Sequence, residues 1–531
     1  MRKIFLFFIL LTLPLPLFSQ LKVIYGVKQN GETNPNDSVV VYFSDVSARI
    51  VRSSLNKESH YIDFASGNTV QILNVGSGEI FSLSKKFETV KPDTGSDIEE
   101  INGYKCRRTV LTIRSNKIEV WYSESEGFRG GPGLYLAGIQ GLVMKVVRNG
   151  NYELFAKTIE KSDSYTANSK KPNGNFTELD EAGYQQKLIE SRYETVNIFN
   201  KEIINFNNPE VQKSNDIIRL AKGNIIVRKV KLPEYKGDRI VIAELKVKSE
   251  GDAYDRLGSV FAAPVNSKTN YIECLINGFE TLPENENKGS KGISVSGNYN
   301  PPVELIRFIT SFGAGHFNKE VAIKGYDWEN EIIYRQDISD FVNGMNGEYW
   351  IGVYIGNYDK GGHEVSLDLK IFNEEGFEST GGFLSLFNTV NMLESEGLAY
   401  NNLFKDGTLK CSFEIKDNLK DVRLKFITTG HGDDEFIKKE NKIYLDGKLI
   451  YGTIPWRTDC ATYRENNPAS GNFPNGMSSS DYSRSNWCPG IVVSPYEIFL
   501  GDMQSGEHEI EVVIDCGKNS NWAVSGCLIF N

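Results

Sequence analysis

The sequence predicts an all-β protein in three parts: a separate β-rich N-terminal domain, a short helical linker, and then two antiparallel sandwiches. Three observations predict it. Runs of β-branched and aromatic residues recur along most of the chain, separated by Gly, Asn and Asp turns. Helix signals converge on one segment alone, and short strands at regular spacing without helices are the mark of sandwiches. Finally, 531 residues exceed an ordinary single domain, while 40% hydrophobic and 11% aromatic content supplies several packed cores.

Taken in order, the chain opens with Arg2-Lys3, an apolar run from Ile4 to Phe18 broken by Pro14 and Pro16, and Ser19-Gln20. This is the layout of a secretory signal peptide over residues 1–20, too short and Pro-broken for a membrane span. Cleavage is expected near Ser19/Gln20, giving an exported protein, periplasmic or secreted, with no membrane span and no lipid-anchoring Cys at the cut. Residues 21–161 carry strand signals at Val39–Phe43, Thr109–Ile113, Ile118–Tyr122 and Leu142–Val147. Residues 162–194 read as a linker: Lys170, Lys171 and Pro172 sit in a polar stretch, and Thr177, with Asp180 three residues on, caps a helix expected over Glu178–Tyr193. A first sandwich over 195–378 contains Val241–Val247, Trp350–Ile355 and Val365–Phe372; a Gly-containing break near Thr380 starts a second, over 379–531, with Thr408–Ile415, Val422–Ile427 and Glu509–Cys516.

Charge and rare residues narrow the function. A net charge of −10 without a basic stripe argues against nucleic acid. The five His (60, 316, 363, 431 and 508) show no metal-ligand spacing, so no metal or other cofactor is expected. Neither a Gly-x-Ser-x-Gly elbow with a triad nor a phosphate-cradling Gly-rich loop is present.

The segment Pro455–Gly490 concentrates Trp456 and Arg457, just before Cys460, and Arg484 and Trp487, just before Cys488, in a stretch without apolar periodicity. Export permits disulfides. A Cys460–Cys488 bridge would remove roughly 3 kcal/mol of unfolded-chain entropy and hold a long loop in one shape. Such a loop can aim Trp and Arg at a ligand; the same residues also fit a purely stabilising disulfide over two packed tryptophans. Seven Cys leave at least one unpaired, and Cys516 and Cys527, flanking a turn, are expected as a second pair.

Particular strings carry family resemblances. Ile101–Cys106, Trp121-Tyr122 and Gly131-Pro132 with Gly138-Ile139-Gln140-Gly141-Leu142-Val143 resemble the GLPGLI family of exported bacterial proteins, although Ile139-Gln140 replaces its Leu-Pro. Over residues 195 to 531 the chain resembles the PNGase F family of peptide-N-glycosidases. The strings are Asp255-Arg256, Arg307-Phe308-Ile309-Thr310, Asp337-Ile338-Ser339-Asp340-Phe341, Glu435-Phe436 and Trp487-Cys488-Pro489-Gly490, in order and at matching spacing. The resemblance implies two side-by-side jelly rolls and release of whole N-glycans by hydrolysis of the glycosyl-asparagine amide. It places the principal catalytic role on Asp255, a second on Glu435, and Arg484 in the site wall. Tyr254 stands where the family has Trp, Arg256 follows Asp255, and His431 lies near a family Gly-Trp-Gly-His string. Two family disulfides have no counterpart, because Glu250–Tyr254 and Asp433–Ile437 contain no Cys. Gly356 replaces a family Glu, which implies room beside the innermost sugar and tolerance of core α1,3-fucose; Asp359 is a candidate substitute carboxylate.

The chemistry agrees. Amide hydrolysis needs carboxylates to direct water and move protons, and a donor for the charge on the carbonyl oxygen. Asp255 and Glu435 supply the first and Arg484 the second, while Trp456, Trp487 and Tyr358 offer flat faces to sugar rings. The expected partner is an N-glycosylated protein or peptide, bound by a monomer. The rival reading is a glycopeptide-binding protein that kept the cleft without the chemistry. Residues 21–161 read either as an interaction domain or as a flap over the cleft.

Overall fold

The computed structural model describes residues 20–531 except 53, 54, 56, 77, 91–97, 126, 162–168, 208–215, 234–236, 266–268, 285, 286, 288, 289, 346, 359, 360, 373–380, 399, 401 and 406. Residues 1–19 of the segment expected as a signal peptide, and Asp359, therefore lie outside the described residues. The chain divides into two compact units, Met1–Ser191 and Arg192–Asn531.

The first unit is built on one twelve-stranded sheet, antiparallel except where Thr177–Glu178 pairs in parallel with Ile80–Lys86. Period-two alternation makes its core: along Gln20–Gln29 the side chains of Leu21, Val23, Tyr25 and Val27 are buried, and Val39, Val41 and Phe43 meet them from the next strand. The helix expected from Glu178 begins at Glu181, because Thr177 and Glu178 extend the sheet; Asp180, not Thr177, is the cap and accepts from Gly183 N at 2.8 Å. Nor is this helix a linker. Tyr184 is wholly buried against Leu73, Phe81 and Leu83, so Glu181–Glu190 belongs to the first unit.

The second unit holds the two sandwiches. In the first, the four strands Tyr193–Ile204, His363–Phe372, Ile240–Ser249 and Ile332–Asp337 face Ile217–Leu220, Ile225–Lys231, Glu348–Ile355, Leu257–Pro264 and Val303–Ile309. In the second, Gly382–Asn388, Ser520–Phe530, Leu419–Gly432 and Tyr496–Met503 face Leu409–Ile415, Gly506–Ile514, Asn441–Leu445 and Lys448–Thr453. These are the jelly rolls the resemblance implied. Leu409, Cys411, Phe413 and Ile415 point inward in strict alternation, and the polar residues between them face water.

Val303–Ile309 is buried along its whole length because it lies where the rolls meet. Val492–Val493, from the second roll's loop, pairs with Arg307 and Phe308 and extends the first roll's sheet. Arg307 and Glu304 form a fully buried ion pair there, with Nε to Oε1 at 3.0 Å and Nη2 to Oε2 at 2.6 Å. Arg307 Nη1 also donates to Thr429 Oγ1 and the Ala523 carbonyl, and Ser525 Oγ donates to Glu304, all across the interface. With Glu304 accepting also from Ser259 Oγ, four of the five guanidinium N–H groups and both carboxylate oxygens are engaged, and three of these bonds cross between the rolls and fix their register.

The Cys516–Cys527 expectation is corrected. Cys527 is on Ser520–Phe530, in one sheet of the second roll, and packs toward the first roll's core. Cys516 follows Gly506–Ile514 in the opposite sheet and packs on the second roll's own core; both are free thiols.

Candidate functional site

Two turns and one loop make the site. The first turn, Asp252–Arg256, joins Ile240–Ser249 to Leu257–Pro264. Asp252 is wholly buried: its carboxylate accepts from Arg256 Nε at 2.8 Å and Nη2 at 3.2 Å and from Tyr254 N at 2.9 Å. Arg256 is thus engaged with Asp252. Thr310 closes the turn, its Oγ1 accepting from Arg256 N and donating to the Tyr254 carbonyl. Asp255 is left facing inward with a side chain 20% exposed. Burial pushes its pKa up to about 6, against the lowering pull of Arg484.

The second turn, Asp433–Phe436, follows Leu419–Gly432. Gly432 opens it at φ +70°, where an added Cβ would stand 2.3 Å from the Asn519 carbonyl, so only glycine fits. Asp434 is wholly buried and accepts from Trp522 Nε1 and Gly517 N, each at 2.9 Å, while its own N–H donates to Ser520 Oγ. Glu435 is thereby turned toward Arg484. The rigidity that the absent family disulfides would have supplied comes, in both turns, from a buried aspartate.

The loop is pinned by the Cys460–Cys488 disulfide, with Cα atoms 5.2 Å apart. Arg457 and Arg484 exchange backbone hydrogen bonds of 2.8 and 3.1 Å, and Ser485 N donates to the Glu435 carbonyl at 3.0 Å. Arg484 is fully buried. Its Nη1 contacts Glu435 Oε1, its Nη2 lies 3.8 Å from Asp255 Oδ2, and it is flanked by the rings of Trp487 at 4.6 Å and Phe436 at 4.9 Å. Burial draws its pKa down to about 10, opposed by Asp255, so it stays cationic at neutral pH. Its Nε has no acceptor among the described residues. One guanidinium therefore joins carboxylates from the two rolls and keeps a donor in reserve.

The remaining expectations divide. Tyr254 and Tyr358, each 60% exposed, flank the Arg256 guanidinium at 5.1 and 5.3 Å, and the Tyr358 hydroxyl bonds Glu394. Trp456 is half-buried beneath Lys438. Trp487 is corrected as a sugar platform: it is buried, donates Nε1 to the Gly430 carbonyl and packs against Arg484 and His431. His431 bonds Thr429 Oγ1 at 2.9 Å, and burial with Arg307 and Arg484 nearby pushes its pKa down to about 3, so the ring is neutral. The room expected at Gly356 is corrected too, because an added Cβ would meet the buried Tyr354 hydroxyl at 2.8 Å.

Sequence reasoning missed Asp252 and Asp434, which differ from their acidic neighbours only in burial. It also missed Phe473, Met477 and Tyr482 on the stapled loop, for which mid-loop apolar residues were the available signal. Among the described residues no group of three or more His, Cys, Asp or Glu could hold a metal ion, and no helix is long and apolar enough to cross a membrane.

Two paired jelly rolls with carboxylates from both converging on a buried arginine define the class. Residues 195–371 match the family described as Peptide-N-glycosidase F, N terminal, and 399–529 match Peptide-N-glycosidase F, C terminal. Residues 23–186, a span that takes in most of the GLPGLI-like region 21–161 and the helix after it, match N-glycanase peptide, N-terminal domain. The chain is similar to a solved structure titled PNGF-II in a P21 space group, at 37% identity and TM-score 0.88, covering 96% of this chain and 99% of that one. A second structure of PNGF-II, in a C2 space group, gives 36% identity, TM-score 0.82 and coverage of 96% and 98%. Among curated proteins the comparison returns no match. The chain belongs to the PNGase F family, and that membership supports an N-glycan amidase type of function.

Proposed function

We propose that this chain is a peptide-N4-(N-acetyl-β-glucosaminyl)asparagine amidase that releases intact N-glycans and leaves Asp at the glycosylated position. The observation that carries the reading is Arg484, buried between Asp255 of one roll and Glu435 of the other. In the reaction, water adds to the side-chain carbonyl carbon, the C–N bond breaks, and the glycosylamine leaves with a proton. Ionised Asp255 accepts the proton of the attacking water and returns it to the leaving nitrogen. Arg484 donates to the carbonyl oxygen as it gains charge. Glu435 holds the guanidinium in place, and Tyr254, Arg256 and Tyr358 receive the sugar.

Treating a denatured N-glycoprotein with the protein and looking for the Asn-to-Asp mass gain at the sequon tests this. Retarded glycopeptide without cleavage would favour the glycopeptide-binding alternative, which the missing Glu at Gly356 supports. Export is supported by the disulfide. A truncation starting at Arg192 tests whether the first unit acts as a flap: intact-glycoprotein activity should fall, and unchanged kinetics would make it a separate module.

A further inference from the structure

The stapled loop carries a structured tip that the proposed chemistry does not use. Phe473 N donates to the Met477 carbonyl at 2.9 Å and Gly476 N to the Phe473 carbonyl at 2.8 Å, with Asn472 bridging Ser478, so residues 472–478 form a small hairpin. The hairpin sets Phe473 edge-on to Tyr482 at 4.7 Å, and both rings meet Phe436 edge-on, at 5.5 and 5.7 Å. Asn475 Nδ2 occupies the Tyr482 hydroxyl. Around this cluster, Phe436 is 38%, Met477 48% and Ile437 49% exposed. Apolar side chains gathered this way lose free energy to water unless something covers them.

The position of the cluster limits what that is. Phe436 follows Glu435 in sequence, and its ring lies 4.9 Å from the Arg484 guanidinium. The rim therefore begins at the catalytic constellation. A glycosylated asparagine brings two chemistries to such a site, a polar sugar and a polypeptide. Sugar rings are received on flat aromatic faces beside hydrogen-bond donors, and Tyr254 and Tyr358 on either side of Arg256 have that character. Phe436, Ile437, Phe473, Met477 and Tyr482 bring no charge, their rings pack edge to face, and two of the five are aliphatic. This is a surface for side chains.

Resting on the amidase reading, we propose that Phe436, Ile437, Phe473, Met477 and Tyr482 bind the polypeptide next to the glycosylated asparagine, and that the protein favours sequons flanked by aromatic or long aliphatic residues.

The experiment uses the full chain and two glycopeptides with the same glycan, one with Phe and one with Ser beside the asparagine. Affinity is measured by calorimetry with Asp255→Asn added to each protein, so that the glycopeptide is not consumed, and release by mass spectrometry without it, for wild type, Phe473→Ser and Met477→Ser. Both substitutions fall on the exposed hairpin. Wild type should bind the Phe peptide about tenfold more tightly, the effect of partly burying one aromatic side chain. Each variant should bind both peptides with the lower affinity, and chitobiose should bind all three proteins alike. Equal wild-type affinities, or discrimination retained in both variants, would overturn the proposal, as would loss of chitobiose affinity, which would make the rim a sugar site. Discrimination without release would sink the amidase reading and leave the rim standing; release without discrimination would do the reverse.

Discussion

The turn Asp252–Arg256 of the first roll and the turn Asp433–Phe436 of the second each present one partly exposed carboxylate to Arg484, and each is held by a second, wholly buried aspartate. They differ in what neutralises the buried charge. Asp252 faces a cation, Arg256, which itself stands between two exposed tyrosines. Asp434 faces only neutral donors, Trp522 Nε1 and Gly517 N, inside the roll's own core. A charge-paired anchor ties the fold of the turn to an exposed aromatic surface. A dipole-paired anchor ties its turn to the core alone.

The largest effect should come from the carboxylates themselves. Asp255→Asn, nearly isosteric, should lower glycan release by roughly a thousandfold or more while leaving the circular dichroism unchanged, and Glu435→Gln should be severely impaired as well. Near-normal turnover in Asp255→Asn would remove the first turn from the chemistry.

The anchors should then separate. Asp434→Ala strands Trp522 Nε1 and Gly517 N and should cost about 3 kcal/mol in denaturant unfolding, with KM of the folded fraction little changed. Asp252→Ala should cost a similar amount and also raise KM, because Arg256 loses the partner that orients it. Equal KM in both variants would erase the distinction.

A third test concerns the loop that brings Arg484 to both turns. Replacing Cys460 and Cys488 with Ser should destabilise by about 3 kcal/mol and impair release. Peptide mapping that pairs either Cys elsewhere would defeat it.

The smallest effect is a pH dependence particular to the first turn. Asp255 titrates near 6 in the folded chain and in the ordinary carboxylate range when unfolded, so between those values the folded state binds more protons. Stability therefore falls as pH rises from about 4 to 6, by at most about 3 kcal/mol, and Asp255→Asn should abolish that slope. In the same window kcat/KM should rise with an apparent pKa of about 6 as Asp255 ionises. A flat profile would mean that the proton carrier lies elsewhere.

The strands were legible because β-branched runs such as Val365–Phe372 bury every second residue, a pattern local sequence records directly. The helix start was not, since Thr177 caps well on local grounds and was claimed instead by pairing with Phe81, far away in the chain. The same limit governs the site. Asp255, Glu435 and Arg484 sit in strings distinctive enough to be picked out. Asp252 and Asp434 look like ordinary turn acids, and their roles depend on donors such as Trp522 that lie 88 residues away in sequence. Trp487 misled in the opposite direction: an aromatic in a polar loop suggested a platform, and the fold spends it on packing Arg484 and His431.

The ion pair of Arg307 with Glu304 has a consequence for how this molecule comes apart. Separating the rolls would strip Arg307 of the Ala523 carbonyl and Thr429, take Ser525 from Glu304, and peel Val492–Val493 from the first sheet. A half-chain ending near residue 378 would expose a charged strand with nothing to receive it. Neither roll is therefore an independent cooperative unit, and Arg192–Asn531 should melt in one calorimetric transition whose van't Hoff and calorimetric enthalpies agree.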